Sequence, residues 1–164
     1  MRKLAAIILC GVLALAPGAK AQIISSIDAT GLEEALAAAS LNPSLENTVD
    51  GTPVAVGEVG QFKFYVRGLS CEGNPSACAE LVFFANFELG RAANTRDYRI
   101  VNSFNDSQVF GRAYVLQNTS EVGVDYVIEL GGGVTPDHLA ENIGRWADVM
   151  AAFFDKFREG LASS

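Results

Sequence analysis

The sequence is poor in the residues that most chemistry needs. It has one histidine, one tryptophan and three cysteines, and its 12 basic residues are outnumbered by 19 acidic ones. A catalytic triad requires a histidine base between a nucleophile and an orienting acid. The single histidine, His138, falls in the exposed first turn of an expected helix, and there is no Gly-x-Ser-x-Gly elbow. Neither a G-x-G-x-x-G fingerprint nor a lysine-containing P-loop occurs. The triple glycine 131–133 precedes a helix, but the acidic Asp137 at its start would repel phosphate, so it reads as a strand-to-helix turn. No EF-hand pattern is present. The acids are spaced as on a wet helix face. These gaps point to a protein that is not an enzyme and carries no metal or cofactor.

Long apolar runs are also missing, with one exception. Residues 4–16, LAAIILCGVLALA, follow the basic Arg2 and Lys3 and precede Pro17-Gly18 and the small-x-small triplet Ala19-Lys20-Ala21. This is the layout of an export signal, residues 1–21, cleaved before Gln22. The run is shorter than the about 20 residues a spanning helix needs. A lipoprotein reading of Cys10 fails on the large Leu9 before it. Residues 22–164 then form one domain in the periplasm or outside the cell. Loss of Arg2, Lys3 and Lys20 leaves nine basic residues against 19 acidic, a net charge of −10. Such a surface disfavours nucleic acid and anionic lipid, and no stable membrane insertion is expected after cleavage.

Cys10 leaves with the signal, so Cys71 and Cys78 remain as an even pair in an oxidising compartment. The stretch between them, Glu72-Gly-Asn-Pro-Ser-Ala77, is rich in turn formers. A zinc site would need about four ligands. A catalytic dithiol usually has two residues between its thiols. A structural disulfide is the expectation, with a redox or metal role as the alternatives.

Among the elements, Thr30-Gly-Leu-Glu33 reads as a capping box opening a helix to about Ala39, with Leu32, Ala35 and Leu36 inward. Asn42-Pro43 ends it. Strands follow at Thr52–Val56 and Gln61–Arg67, with turns at Asp50-Gly51 and at Gly57 to Gly60. In QFKFYVR, Phe62, Phe64 and Val66 alternate with polar neighbours. After the cysteine loop, Glu80–Phe87 completes a meander of three antiparallel strands. Thr95 or Asp97 can cap a helix over Tyr98–Asp106, with Ile100, Val101 and Phe104 on one face. Val109–Gln117 and Gly123–Leu130 are two further strands. Thr135-Pro136-Asp137 starts a helix to about Glu159. On it Leu139, Ile143, Trp146, Met150, Phe153 and Phe157 form one apolar stripe. Strands and helices come in runs, so the class is α+β: helix, three strands, helix, two strands, helix.

The stripe reads first as a helix laid on the sheet. Part of it, or the neighbouring Phe154, is the alternative partner contact. Tyr98, Phe104, Tyr114 and Trp146 are the candidates for an aromatic-lined ligand pocket. Asn102, Asn105, Arg112 and Tyr114 gather at the junction of the central helix and the fourth strand. Asn105 and Asp106 are read there as ending the helix through local backbone bonds. The sequons at Asn105 and Asn118 are discounted, because the Ala-x-Ala signal looks bacterial.

The chain resembles the YbjN domain family, bacterial proteins labelled sensory transduction regulators. The resemblance rests on Asp50-Gly-Thr-Pro53, the Phe62–Val66 strand, and the Cys71/Cys78 pair followed by Leu81–Phe87. It continues through Ile100-Val-Asn-Ser-Phe-Asn105, Phe110-Gly-Arg-Ala-Tyr114 and Gly131-Gly-Gly-Val134. It spans roughly residues 28–158. Phe104 stands where the family often has tryptophan, and Asn118-Thr-Ser-Glu121 lacks the usual Asp-Gly turn. The resemblance implies a fold like that of type III secretion chaperones, which commonly pair as dimers, and it implies no catalytic residues. The expectation is an exported, non-enzymatic binding or accessory module with a sensory or regulatory role. It would contact a second copy or an envelope protein. A periplasmic small-ligand sensor is the alternative.

Overall fold

The computed structural model describes residues 22–46 and 52–162; the expected export signal with Cys10, and the Asp50-Gly51 turn, lie outside them. The elements run α1 (Ala29–Ala38), β1 (Ser44–Glu46), β2 (Val54–Val59), β3 (Phe62–Glu72), β4 (Ala77–Glu88), α2 (Thr95–Ser107), β5 (Arg112–Leu116), β6 (Glu121–Glu129) and α3 (Pro136–Ala162). The α+β class and the element order are as expected, with one strand more: β1, three residues long, is too short to show a period.

All six strands form one antiparallel sheet in the order β1-β2-β3-β4-β6-β5. β2, β3 and β4 are the meander. After β4 the chain crosses through α2 to the far edge, lays down β5 and returns as β6 between β5 and β4. The three helices pack on one side of this sheet. Leu32 and Leu36 of α1, Ile100, Val101 and Phe104 of α2, and the whole apolar stripe of α3 share one core with Phe64, Val66, Leu81, Phe83, Ala85, Val122, Val124 and Ile128. Trp146, Phe64, Phe83, Phe104 and Phe153 are fully buried. Each is worth about 1.5–3 kcal/mol of transfer free energy. The α3 stripe is therefore core, as its 3.6-residue spacing suggested.

The helix starts differ from the sequence reading by a residue or two. Asp28 caps α1, its carboxylate accepting from the Gly31 N–H at 2.9 Å, in place of Thr30. Asn94 caps α2, where Thr95 or Asp97 was expected, and Asp97 closes the capping box by accepting from the Asn94 N–H. Thr135 caps α3 as expected, accepting from the His138 N–H. Gly57, read as a turn residue, sits inside β2. The ring of its cross-strand partner Phe64 fills the place a side chain would take, within 2.4 Å of where a Cβ would lie.

Two arginines fasten α2. Arg91 grips the buried Asp97 with two hydrogen bonds of 2.6 and 2.7 Å. Arg96 reaches the other way and donates to the carbonyls of Gly160 and Leu161. It thereby satisfies orphan carbonyls at the end of α3. Gly160 lets the helices meet, since a Cβ there would lie 2.5 Å from Ile100.

Candidate functional site

The side of the sheet away from the helices is built from the other half of the same alternating strands. The register sets Val56, Tyr65 and Phe84 in one row across β2, β3 and β4. The next row is Val54, Arg67, Val82 and Val127 across β2, β3, β4 and β6. None of these residues belongs to the core. Tyr65 and Phe84 stack with ring centroids 5.5 Å apart, yet Tyr65 stays 38 % exposed and Val127 47 %. Lys63 and Glu58 border the rows at one end; Glu80 and Glu129, directly opposite each other, border them at the other.

Toward β5 the face becomes polar. Arg112 forms a forked pair with Asp125 across the strands at 3.2 and 2.5 Å. Tyr114 donates to Asn86 at 2.8 Å and lies over Gly123, whose missing Cβ leaves room for its ring. Burial, and then the nearby Asp125 carboxylate, push the Tyr114 hydroxyl up to about 12, so it stays a neutral donor.

Of the residues singled out in the sequence, Tyr98, Phe104, Tyr114 and Trp146 do not meet in one pocket. Phe104 and Trp146 are in the core, Phe104 against Phe153 and Trp146 against Phe64 and Phe83. Tyr98 is half exposed and hydrogen-bonds Gln117 beside a shallow hollow lined by Val115 to Thr119. Tyr114 is on the opposite side of the sheet. Phe154 is not a free helix-face residue: it stacks on Phe62 at 3.8 Å and touches Phe87. The separation has a simple cause. Alternation along β5 sends Ala113 inward and Tyr114 outward, and the stripe of α3 points at the sheet.

Asn105 departs from its expected local role. Its side chain accepts from the Ala113 N–H at 2.8 Å and donates to the Ala113 carbonyl at 3.1 Å. It thus imitates one rung of a further strand on the outer edge of β5. Asp97 has its carboxyl held below the usual range, first by the Arg91 hydrogen bonds, which outweigh the opposing effect of burial, and then by the Asn94 N–H.

Cys71 and Cys78 are joined, directly opposite one another at the end of the β3–β4 hairpin. Cys78 also exchanges two backbone hydrogen bonds with Ile27, at 2.8 and 3.0 Å. The crosslinked hairpin end is therefore the anchor of the segment that leads into α1. Beside it lies an open cleft of about 640 Å³ between that segment, α1 and the start of α3. Ile24, Ile27, Ala35, Leu139, Ala140 and Ile143 line it, and its charged residues, Asp28, Glu34 and Asp137, are all acidic. His138 is exposed. Among the described residues no group of three or more His, Cys, Asp or Glu side chains gathers to hold a metal, and no helix is long and apolar enough to cross a membrane.

A family model, YbjN, described as "Putative bacterial sensory transduction regulator", matches residues 28–159. The chain belongs to the YbjN family. No curated protein matches it. In this YbjN chain the matched span begins at the cap of α1 and ends in the last turns of α3, so it takes in all six strands and all three helices. The family description is that of a regulator, not of an enzyme. The two apolar rows were missed as a site in the sequence. The available signal was ELVFFANF, which is apolar at both phases of its alternation.

Proposed function

We propose that this YbjN protein is an exported, non-catalytic docking module with a regulatory role, and that it works through the helix-free face of its sheet. The observation that carries this reading is the pair of rows Val56-Tyr65-Phe84 and Val54-Arg67-Val82-Val127, which no described helix covers. An exposed patch of apolar side chains with charged residues among and around them is the usual mark of a protein contact. The first partner is a second copy. Lys63 and Arg67 lie on β3 while Glu80, Glu121 and Glu129 lie on β4 and β6, so a two-fold axis through the patch sets opposite charges against each other. An envelope protein is the second. The Cys71–Cys78 crosslink and the residues 1–21 pattern support export. Light scattering on the mature chain is expected to give a dimer, and Tyr65→Asp a folded monomer. A wild-type monomer that also retains no envelope protein through Tyr65 and Phe84 would end this reading.

The cleft beside α1 supports a second reading, a sensor for a small apolar cation. Its volume suits a small ligand, and its charged residues have one sign. Ile143 and Leu139 of α3 line it, so occupancy is read as a rise in melting temperature. No thermal shift with a panel of lipophilic amines would remove it.

A further inference from the structure

We infer that the far end of β6 is a strand-addition site for an extended peptide carrying a basic residue two positions before an apolar one. β6 has nine residues and β5 five. Their pairing stops at Arg112↔Asp125, whereas β4 follows β6 to Glu80↔Glu129. The Leu130 N–H bonds Ala79 and the Leu89 N–H bonds Ser120, both in the β4–β6 register, so the even-numbered residues of β6 turn their backbone groups to β4. Asn105 agrees: it takes both backbone groups of Ala113, which stands opposite Val124 and faces away from β6. The N–H and C=O groups of Val127 and Glu129 therefore point past the end of β5, and no described residue bonds them.

Unpaired strand edges are usually blunted. In this sheet β1 is only three residues long and Asn105 closes the middle of β5. The end of β6 has neither device. It is also flanked by apolar surface: Val127 is 47 % exposed, and in the loop that enters β5 Val109 is 90 % and Phe110 45 % exposed. Phe110 is held in place between the Arg145 guanidinium, 4.2 Å from its ring centre, and Tyr126.

The register names the occupant. A peptide antiparallel to β6 and in line with β5 puts one residue opposite Val127. The residue two places earlier stands opposite Glu129. Glu129 is itself opposite Glu80, and like charges directly across a sheet destabilise it. A lysine or arginine at that place on the peptide stands directly across from the Glu129 carboxylate, while Glu80, one strand further, accepts from the Ser70 hydroxyl at 2.8 Å. Main-chain hydrogen bonds supply affinity, and these two positions supply choice.

The proposal rests on the reading of this protein as a docking module, but it uses the sheet edge and not its face. The test is fluorescence anisotropy with a labelled heptapeptide of β-forming residues that carries lysine two positions before valine. Saturable binding is expected. It should be lost on N-methylating the backbone of the same peptide, and weakened about fivefold when its lysine becomes glutamate. Glu129→Lys should reverse that preference. Tyr65→Asp should leave peptide binding intact, so a failure of the face and a failure of the edge give different results. No binding by the wild-type chain, or equal binding of the N-methylated peptide, overturns the site.

Discussion

The two sides of the sheet are made from the same strands and carry similar residues, yet they have opposite fates. On one side Phe64 and Phe83 lie under Trp146 and have no exposure. On the other, their chain neighbours Tyr65 and Phe84 stack on each other outside that core. Each side even has its own glycine–aromatic pair, Gly57 beneath Phe64 and Gly123 beneath Tyr114. Aromatic content alone therefore does not tell core from contact surface. The difference lies in three amphipathic helices that all settle on one side, because each must bury its stripe and together they close a single core.

The sharpest way to break this comparison is to truncate matched residues on the two sides. Phe83→Ala removes a fully buried ring and is expected to cost about 3–5 kcal/mol in urea unfolding. If it costs no more than the same change at Phe84, the assignment of sides is wrong. Next in size is the hairpin end. Cys71→Ser is expected to cost about 2–3 kcal/mol and to leave Cys78 open to alkylation, while Cys78 in the native chain stays unreactive.

On the covered side, Asp97→Asn removes the charge that holds Arg91 and is expected to cost about 2 kcal/mol at neutral pH. Its pH dependence has a definite sign. The folded-state pKa of Asp97 is lowered, so its contribution is complete above the ordinary carboxylate value of about 3.9 and fades as pH falls through the lower folded value. The gap in midpoint between wild type and Asp97→Asn should be constant above about pH 5 and shrink below about pH 4. A gap independent of pH would show that the variant acts through packing instead. Asn105→Ala removes two neutral hydrogen bonds to the β5 edge and is expected to cost about 1–2 kcal/mol, with faster hydrogen exchange at Ala113. Phe84→Ala closes the series at about 1 kcal/mol, its stacking on Tyr65, while loosening self-association in light scattering.

Much of the fold was legible in particular residues. The α3 stripe from Leu139 to Phe157 and the Phe62/Phe64/Val66 alternation each depend on neighbours a few residues apart; the stripe, Phe64 and Val66 are in the core, and Phe62 packs against it. The helix starts were less legible. Asp28, Thr30, Asn94 and Thr95 can all cap, and only the folded backbone shows which oxygen reaches an N–H. The pairing of Asn105 with Ala113 and the scattering of Tyr98, Phe104, Tyr114 and Trp146 needed the fold itself, since helix and strand phases must be combined to tell which side each residue takes.

From the amino-acid order alone came the α+β class, the periods of the strands, the stripe of the last helix and the two thiols poised to join. These follow from local steric periods and from the spacing of two cysteines around a turn. Tertiary structure alone decided that β6 inserts between β4 and β5, that the three described helices settle on one face of the sheet, and that Val127 and Glu129 lie past the last rung of β5. Those outcomes depend on contacts between distant segments, where the burial of three helices at once, and no local preference, sets the lowest free energy.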